Sequence, residues 1–427
     1  MRKLVRLAVL AGLMVASTGL MGCQKELVKD YARPLPEGVP ALRKITNPKE
    51  LPDLKAAYLN RGDLVDALNR SLGWFAKTST QQFYPLQGFT HDQAQASVLA
   101  FKQILLTSSG PQDFQRRILQ DFDVWTSVGW DGSGVVYFTG YYTPVLTASR
   151  VQTPEYKYPL YTKPADLVRD PATGQTLGRQ IDGQLKPYPT GAQIEYYPQL
   201  LGLTGHELVW LRSKLDRYIV RVQGSAKLHL TDGSTMYIGY AADNGRPYTS
   251  IAKKMVEDGR LDPDHAGLPA IRQYFEQHPQ DLDYYISQNE RYIFFQTYDG
   301  TNWPAGSLGF QVTPFRTLAT DKKIFPRACP TLVVTKIPSA DGGQAPFDQF
   351  MVDQDTGGAI RAPGRADIYM GIGSQAEAIA GQQAAEGRLY YFILKPDRVQ
   401  AWLSQASAAA GQVPVPAPAP LPAPMGP

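Results

Sequence analysis

Apolar residues recur at helical spacing through the first third of the chain and at strand-like spacing after it. Leu64, Leu68, Leu72 and Phe75 share one face of a segment opened by Asp63, and Val98, Phe101 and Leu105 do the same over residues 91–107. A third helix is predicted over residues 114–125. From Val135-Val136-Tyr137-Phe138-Thr139 onward, short runs rich in Val, Tyr and Thr are punctuated by Gly and Pro, which marks strands.

Within that region Thr204-Gly205-His206-Glu207 has capping-box spacing ahead of Trp210, Leu211 and Leu215, and predicts a short helix. Residues 218–222 read as a strand, and 227–230 with 236–240 read as a hairpin across Asp232-Gly233. Helices are expected over 250–257 and 268–278, then strands over 292–295, 331–337, 350–353 and 389–394. An Ala-rich helix over 375–386 precedes the last of these. The expected class is mainly β with flanking helices, without an internal repeat.

The two ends follow other rules. Arg2, Lys3 and Arg6 precede an apolar run from Leu7 to Leu20 that is short for a membrane span and reads as a secretory signal. Leu20-Met21-Gly22-Cys23 has the form of a lipobox, so Cys23 is the expected lipidation site and new N-terminus, and residues 1–23 the signal peptide. An ordinary signal that happens to end in Cys would instead give a soluble secreted protein. Three of the four net positive charges belong to this segment. The mature chain is therefore almost neutral, and charge offers no reason to expect a nucleic-acid partner. The other cysteine, Cys329, cannot pair with an acylated Cys23, which excludes an internal disulfide framework; it reads as a small core residue. At the C-terminus, residues 406–427 are rich in Pro and Ala and predict an extended tail, a spacer or a docking segment for cell-wall synthesis or division proteins.

The five histidines, His91, His206, His229, His265 and His278, lie at none of the spacings of a zinc site, so no metal is expected. Serine-hydrolase, nucleotide and dinucleotide motifs are missing from the sequence, and no cofactor is expected. Carboxylate chemistry remains. Its densest candidate is Asp355-Thr356-Gly357-Gly358-Ala359-Ile360, followed by Arg365-Ala366-Asp367-Ile368-Tyr369 and Gly371-Ile372-Gly373. Glycines beside Asp355 and Asp367 would let a sugar approach the backbone closely. The same residues also suit Asx turns, and the pattern by itself leaves both readings open. The 24 Tyr and 6 Trp fit a carbohydrate binder and a β-rich core equally well.

This segment resembles the three-aspartate domain of the membrane-bound lytic murein transglycosylase A family, with Asp321 as the first aspartate. The resemblance continues upstream, in order, through Phe138-Thr139-Gly140-Tyr141-Tyr142-Thr143-Pro144, Tyr158-Pro159-Leu160-Tyr161, Val222-Gln223-Gly224-Ser225, Gly239-Tyr240-Ala241 and Asn244-Gly245-Arg246-Pro247-Tyr248. Ala226 and the turn Arg327-Ala328-Cys329-Pro330 depart from the family pattern, and residues 24–130 are poorly covered.

The resemblance implies a double-psi β-barrel catalytic domain, a second β-rich domain inserted into it, and a glycan groove between them. Residues 24–147, with the helical part, and 304–405 would form the catalytic body, and 148–303 the insertion. It implies a lyase, a lytic exotransglycosylase that cleaves the MurNAc-β-1,4-GlcNAc bond of peptidoglycan and leaves 1,6-anhydro-MurNAc ends, with Asp367 as the single acid/base. Asp355, Thr143, Tyr142, Gly358, Gln223, Ser225 and Tyr248 are the expected supporting or substrate-binding residues, and Asp321 is expected to be structural. The acylated Cys23 would hold the protein on the periplasmic face of the outer membrane. Two rivals are a hydrolase using both Asp355 and Asp367, which would leave reducing ends, and a wall-binding lipoprotein without activity.

Overall fold

The computed structural model describes residues 29–171, 173–339 and 342–411. The lipobox Cys23 and the tail from residue 412 lie outside the described residues. Among the described residues no helix is long and apolar enough to cross a membrane.

The chain opens with β1 (Leu42–Lys44) and four helices: α1 (Lys55–Leu59), α2 (Leu64–Phe75), α3 (His91–Thr107) and α4 (Pro111–Asp121). The Thr90 hydroxyl caps α3 by accepting from the Gln93 N–H at 3.1 Å, and Pro111 starts α4 where its missing N–H costs nothing. Strands β2 (Phe122–Ser127), β3 (Val136–Thr143), β4 (Val145–Ser149) and β5 (Tyr158–Tyr161) follow, then β6 (Leu167–Arg169), β7 (Thr176–Ile181) and β8 (Gln184–Lys186). Next come α5 (Gly191–Tyr196), β9 (Glu207–Leu211), α6 (Lys214–Gln223), β10 (Ser225–Leu230) and β11 (Thr235–Asp243). Helices α7 (Ile251–Glu257), α8 (Leu268–Gln277) and α9 (Leu282–Ser287) lead to β12 (Ile293–Tyr298). The chain ends with β13 (Thr317–Ala319), β14 (Pro330–Pro338), β15 (Gln344–Asp355), β16 (Arg365–Ile372), α10 (Ser374–Ala380), β17 (Ala384–Leu394) and α11 (Val399–Gly411).

The strands sort into an eight-stranded sheet, β1-β2-β17-β14-β15-β13-β16-β3, a six-stranded sheet, β12-β11-β10-β4-β9-β5, and a three-stranded sheet, β6-β7-β8. An additional pairing of β17 with β3 closes β17, β14, β15, β13, β16 and β3 into a ring. Helices α3 and α4 pack on this body through Phe101 and Phe114, whose rings lie 5.3 and 5.4 Å from that of Phe350. Each such fully buried side chain contributes roughly 1.5–3 kcal/mol. The six-stranded sheet has its own core, built on Leu160, Val209, Leu228, Ile238 and Phe295. Beside it Glu195 is buried between Arg217 and Arg221, one helical turn apart on α6.

Five local expectations are overturned. The predicted helix at Thr204 is strand β9: Gly205 at φ +87° breaks any first helical turn, and buried Val209 and Leu211 alternate with less buried neighbours. Residues 218–222 are helical rather than a strand, because Ser213 caps α6 on the Asp216 N–H at 3.1 Å and left-handed Gly224 ends it. The third helix stops at Asp121, and residues 122–125 alternate inward and outward in β2. The Ala-rich helix ends at Ala380, so 384–386 already belong to β17. Residues 406–411, expected in an extended tail, complete α11. The expected hairpin is present, as antiparallel β10 and β11.

Candidate active site

Strands β3 and β16 run parallel, with Tyr137 opposite Arg365, Thr139 opposite Asp367 and Tyr141 opposite Tyr369. Alternation fixes what each face carries. Val136, Phe138, Ala366 and Ile368 are wholly buried in the core, so the intervening residues form one polar row on the other face. Each rank of that row is in contact. The Arg365 guanidinium lies 5.5 Å from the Tyr137 ring centre, the Thr139 hydroxyl donates to Asp367 Oδ1, and the Tyr141 and Tyr369 rings are 5.1 Å apart. Arg365 Nη2 also donates to Asp367 Oδ1, at 3.1 Å, and to the Thr139 hydroxyl oxygen at 2.9 Å. Asp367 Oδ2 has no hydrogen-bond partner among the described residues.

Tyr137, Thr139, Gln223 and Tyr248 line a groove of about 1050 Å³ between the eight-stranded sheet and helices α6 to α8. The Tyr248 hydroxyl, pushed above its ordinary range mainly by burial, also feels the charges of Arg365 and Asp367. Gln223 joins the two halves by accepting the Tyr142 backbone N–H at 3.0 Å. Tyr142 touches the groove while almost wholly buried. Thr143 and Ser225, expected on the groove wall, are buried instead. Their hydroxyls lie 3.2 Å apart, and Thr143 also meets the Tyr369 hydroxyl at 3.0 Å, so Ser225 and Tyr369 cover it at the end of β3.

Asp355 ends β15 and is tied on both oxygens. Oδ2 accepts from the Tyr141 hydroxyl at 2.7 Å, and Oδ1 accepts from the Ser307 and Thr356 N–H groups, each at 2.8 Å. Tyr141 stands between the two carboxylates: burial first, then Asp355, with Tyr369 and Asp367 adding, pushes its hydroxyl well above its ordinary range. Asp321 has turn duties, accepting from the Lys323 N–H at 3.1 Å and the Ala362 N–H at 3.2 Å. Gly358 leaves room for the other half of the molecule, since a Cβ there would sit 2.7 Å from Arg291 Nε. Arg291 is itself paired with Asp243 at 2.7 Å.

Three participants escaped the sequence reading. Thr139 and Arg365 were visible only as members of a motif; the alternation Arg365-Ala366-Asp367-Ile368 was the signal that puts them on the acid's face. The third is a buried ion pair beneath the Asp355 turn, Lys322 with Asp353, joined by the Thr320 and Tyr391 hydroxyls. Burial raises the Asp353 carboxyl and lowers the Lys322 amine, and each charge opposes the shift of the other.

Comparison with known proteins agrees with this architecture. Residues 137–296 match the model of the MltA specific insert domain, and residues 316–393 match that of the 3D domain. The chain is 28% identical over 362 residues to membrane-bound lytic murein transglycosylase A of Escherichia coli (strain K12), covering 83% of this chain and 88% of that one. It is 28% identical over 277 residues to the protein of that name from Vibrio cholerae serotype O1, covering 64% and 69%. The crystal structure of membrane-bound lytic murein transglycosylase from Agrobacterium tumefaciens superposes with a TM-score of 0.67 at 24% identity, over 85% of this chain and 99% of that one. E. coli MltA with bound chitohexaose gives 0.64 at 24% identity, over 86% and 97%. Matching insert and three-aspartate segments, in the same order and on the same fold, place this chain in the membrane-bound lytic murein transglycosylase A family.

Proposed function

We propose that this chain cleaves the MurNAc-β-1,4-GlcNAc bond of peptidoglycan without consuming water, using Asp367 as its only acid/base. One observation carries this reading: on the face beside the groove, Asp367 has one oxygen fixed by Thr139 and Arg365 and the other uncommitted. The uncommitted Oδ2 holds the proton. It gives that proton to the glycosidic oxygen as the bond to MurNAc C1 breaks. The MurNAc C6 hydroxyl oxygen then bonds to C1, and its proton passes to Oδ2. The acid is restored and the product carries a 1,6-anhydro end. The Thr139 hydroxyl, held on Oδ1, stabilises the carboxylate during the interval in which the proton is away.

A two-carboxylate hydrolase needs a second group free to activate water or attack C1. Asp355 is poorly suited, because Tyr141, Ser307 and Thr356 already occupy both of its oxygens. Asp355 supports the site through Tyr141. The ring of six strands is read as the double-psi barrel, with residues 24–147 and 304–405 as the catalytic body and 148–303 as the insertion; the separate sheets support that division. The membrane attachment that the relatives' names record is read here as acylation of Cys23, with Gln24 directing the lipoprotein to the outer membrane.

The test is digestion of purified peptidoglycan by the chain from residue 24, with mass spectrometry of the released ends. Anhydro-MurNAc ends are expected. Water-added reducing ends would make it a hydrolase, and binding without cleavage a wall-binding protein.

A further inference from the structure

Arg365 is only partly used by the protein. Both of its hydrogen bonds come from Nη2, while Nη1 and Nε have no hydrogen-bond partner among the described residues. Nε is buried, a position in which an unsatisfied donor is costly. The guanidinium is held in place by the Tyr137 ring and by Asp367, and Tyr137, Thr139 and Tyr248 around it line the groove. The side chain is 18% exposed, beside the groove that these neighbours line. A planar fork with spare donors, fixed two residues from the acid on the same strand face, suits an oxygen acceptor on the sugar being cleaved.

The two sugars of the glycan differ in one relevant group. MurNAc carries a lactyl ether arm ending in a carboxyl, free or in amide linkage, and GlcNAc does not. Resting on the glycan-cleavage reading above, we infer that Arg365 is a specificity-determining residue that binds the lactyl acyl oxygen of the MurNAc at the scissile bond. Asp367 is thereby brought to the bond on the MurNAc side rather than to its GlcNAc counterpart. The free carboxylate and the amide carbonyl share the acceptor chemistry that Arg365 would recognise.

Calorimetric titration tests this without relying on turnover. All proteins carry Asp367→Asn so that no strand is cut, and Arg365→Gln and Arg365→Lys are compared with that parent. The probes are chitotetraose, a peptide-free GlcNAc-MurNAc tetrasaccharide and the same tetrasaccharide bearing stem peptides. Arg365→Gln should weaken the MurNAc-containing probes by at least about tenfold, the scale of a lost hydrogen bond to a charged group, with chitotetraose within about twofold. Arg365→Lys, which keeps the charge and loses the fork, should fall between. A larger loss for the peptide-free probe identifies the free carboxylate as the acceptor, and equal losses identify the carbonyl oxygen. Equal weakening of chitotetraose and the MurNAc probes, or no weakening of any, overturns the inference. Failure of the parent itself to bind any probe overturns the glycan reading beneath it. Thermal melts of the variants separate misfolding from lost recognition, and Arg365→Lys carries the test if Arg365→Gln fails to fold.

Discussion

Thr139 and Asp367 are opposite residues on parallel strands, and the threonine hydroxyl donates directly to one carboxylate oxygen. The relationship is set by backbone register, so it does not depend on a mobile loop. The carboxylate is aimed before substrate arrives, with Arg365 as its second anchor.

Asp367→Asn should therefore remove activity while leaving the fold intact. Asparagine keeps the side-chain shape and an oxygen for Thr139 but cannot shuttle a proton. A loss on the order of 10²–10⁴-fold in released anhydro ends is expected, the usual scale of general acid catalysis. The melting temperature should change little. A variant retaining more than a tenth of wild-type turnover would move the acid elsewhere, with Asp355 the next residue to test.

Thr139→Val keeps volume and β-branching and deletes only the hydroxyl. Turnover should fall about tenfold or more with KM nearly unchanged, since one hydrogen bond to a charged group is worth about 1.5–3 kcal/mol and here serves the carboxylate formed during the reaction. Thr139→Ser should recover most of the rate. An increase in KM alone would show instead that Thr139 binds the sugar.

Helix and strand types were largely legible because burial enforces periodicity: Leu64, Leu68 and Phe75 are all buried on α2, as their spacing predicts. Residues 218–222 were misread because Tyr218, Ile219 and Val220 look like a strand when taken alone. What makes them helical lies in Ser213 and in the demand that Arg217 and Arg221 reach Glu195 together, and the latter is a tertiary contact. Asp355 and Asp367 were legible as candidates from their pattern, but only the family resemblance separated their roles, and the physical difference between them was not legible. That difference comes from Tyr141 and Ser307, which lie far from Asp355 in sequence. Thr143 shares a strand face with Thr139 but is covered by Ser225 and Tyr369, tertiary neighbours that the sequence does not show, while Thr139 lies beside the groove.

Cys329 should be chemically silent in the native protein. Burial, with Asp353 adding to it, pushes its thiol far above the ordinary range, so the nucleophilic thiolate is suppressed. In the chain from residue 24, which lacks Cys23, a disulfide-exchange reagent should find no reactive thiol at neutral pH. It should find one equivalent after unfolding in denaturant. Rapid reaction of the native protein would mean that the chain at the start of β14 opens readily.

Lys322→Met should destabilise the protein by about 3–5 kcal/mol, the range for removing one partner of a buried ion pair. Asp353 would then be buried beside the Thr320 and Tyr391 hydroxyls without its cation. The direction of the pH dependence follows from burial. Burial already raises Asp353 above its unfolded value in the native protein, and losing Lys322 removes the neighbouring positive charge that holds it down. A carboxyl raised on folding binds its proton more tightly in the native state, so its stabilising contribution is full below the unfolded value near 3.9 and is lost as pH rises through the folded one. The deficit of Lys322→Met relative to wild type should accordingly be smaller at pH near 5 than near 7.5, measured by denaturant melts at both. A deficit that grows on acidification would show that Asp353 is not the group left uncompensated. Because Lys322 also lies within electrostatic reach of Asp355, turnover measured below the melting transition shows whether the buried pair supports the fold alone or the Asp355 turn as well.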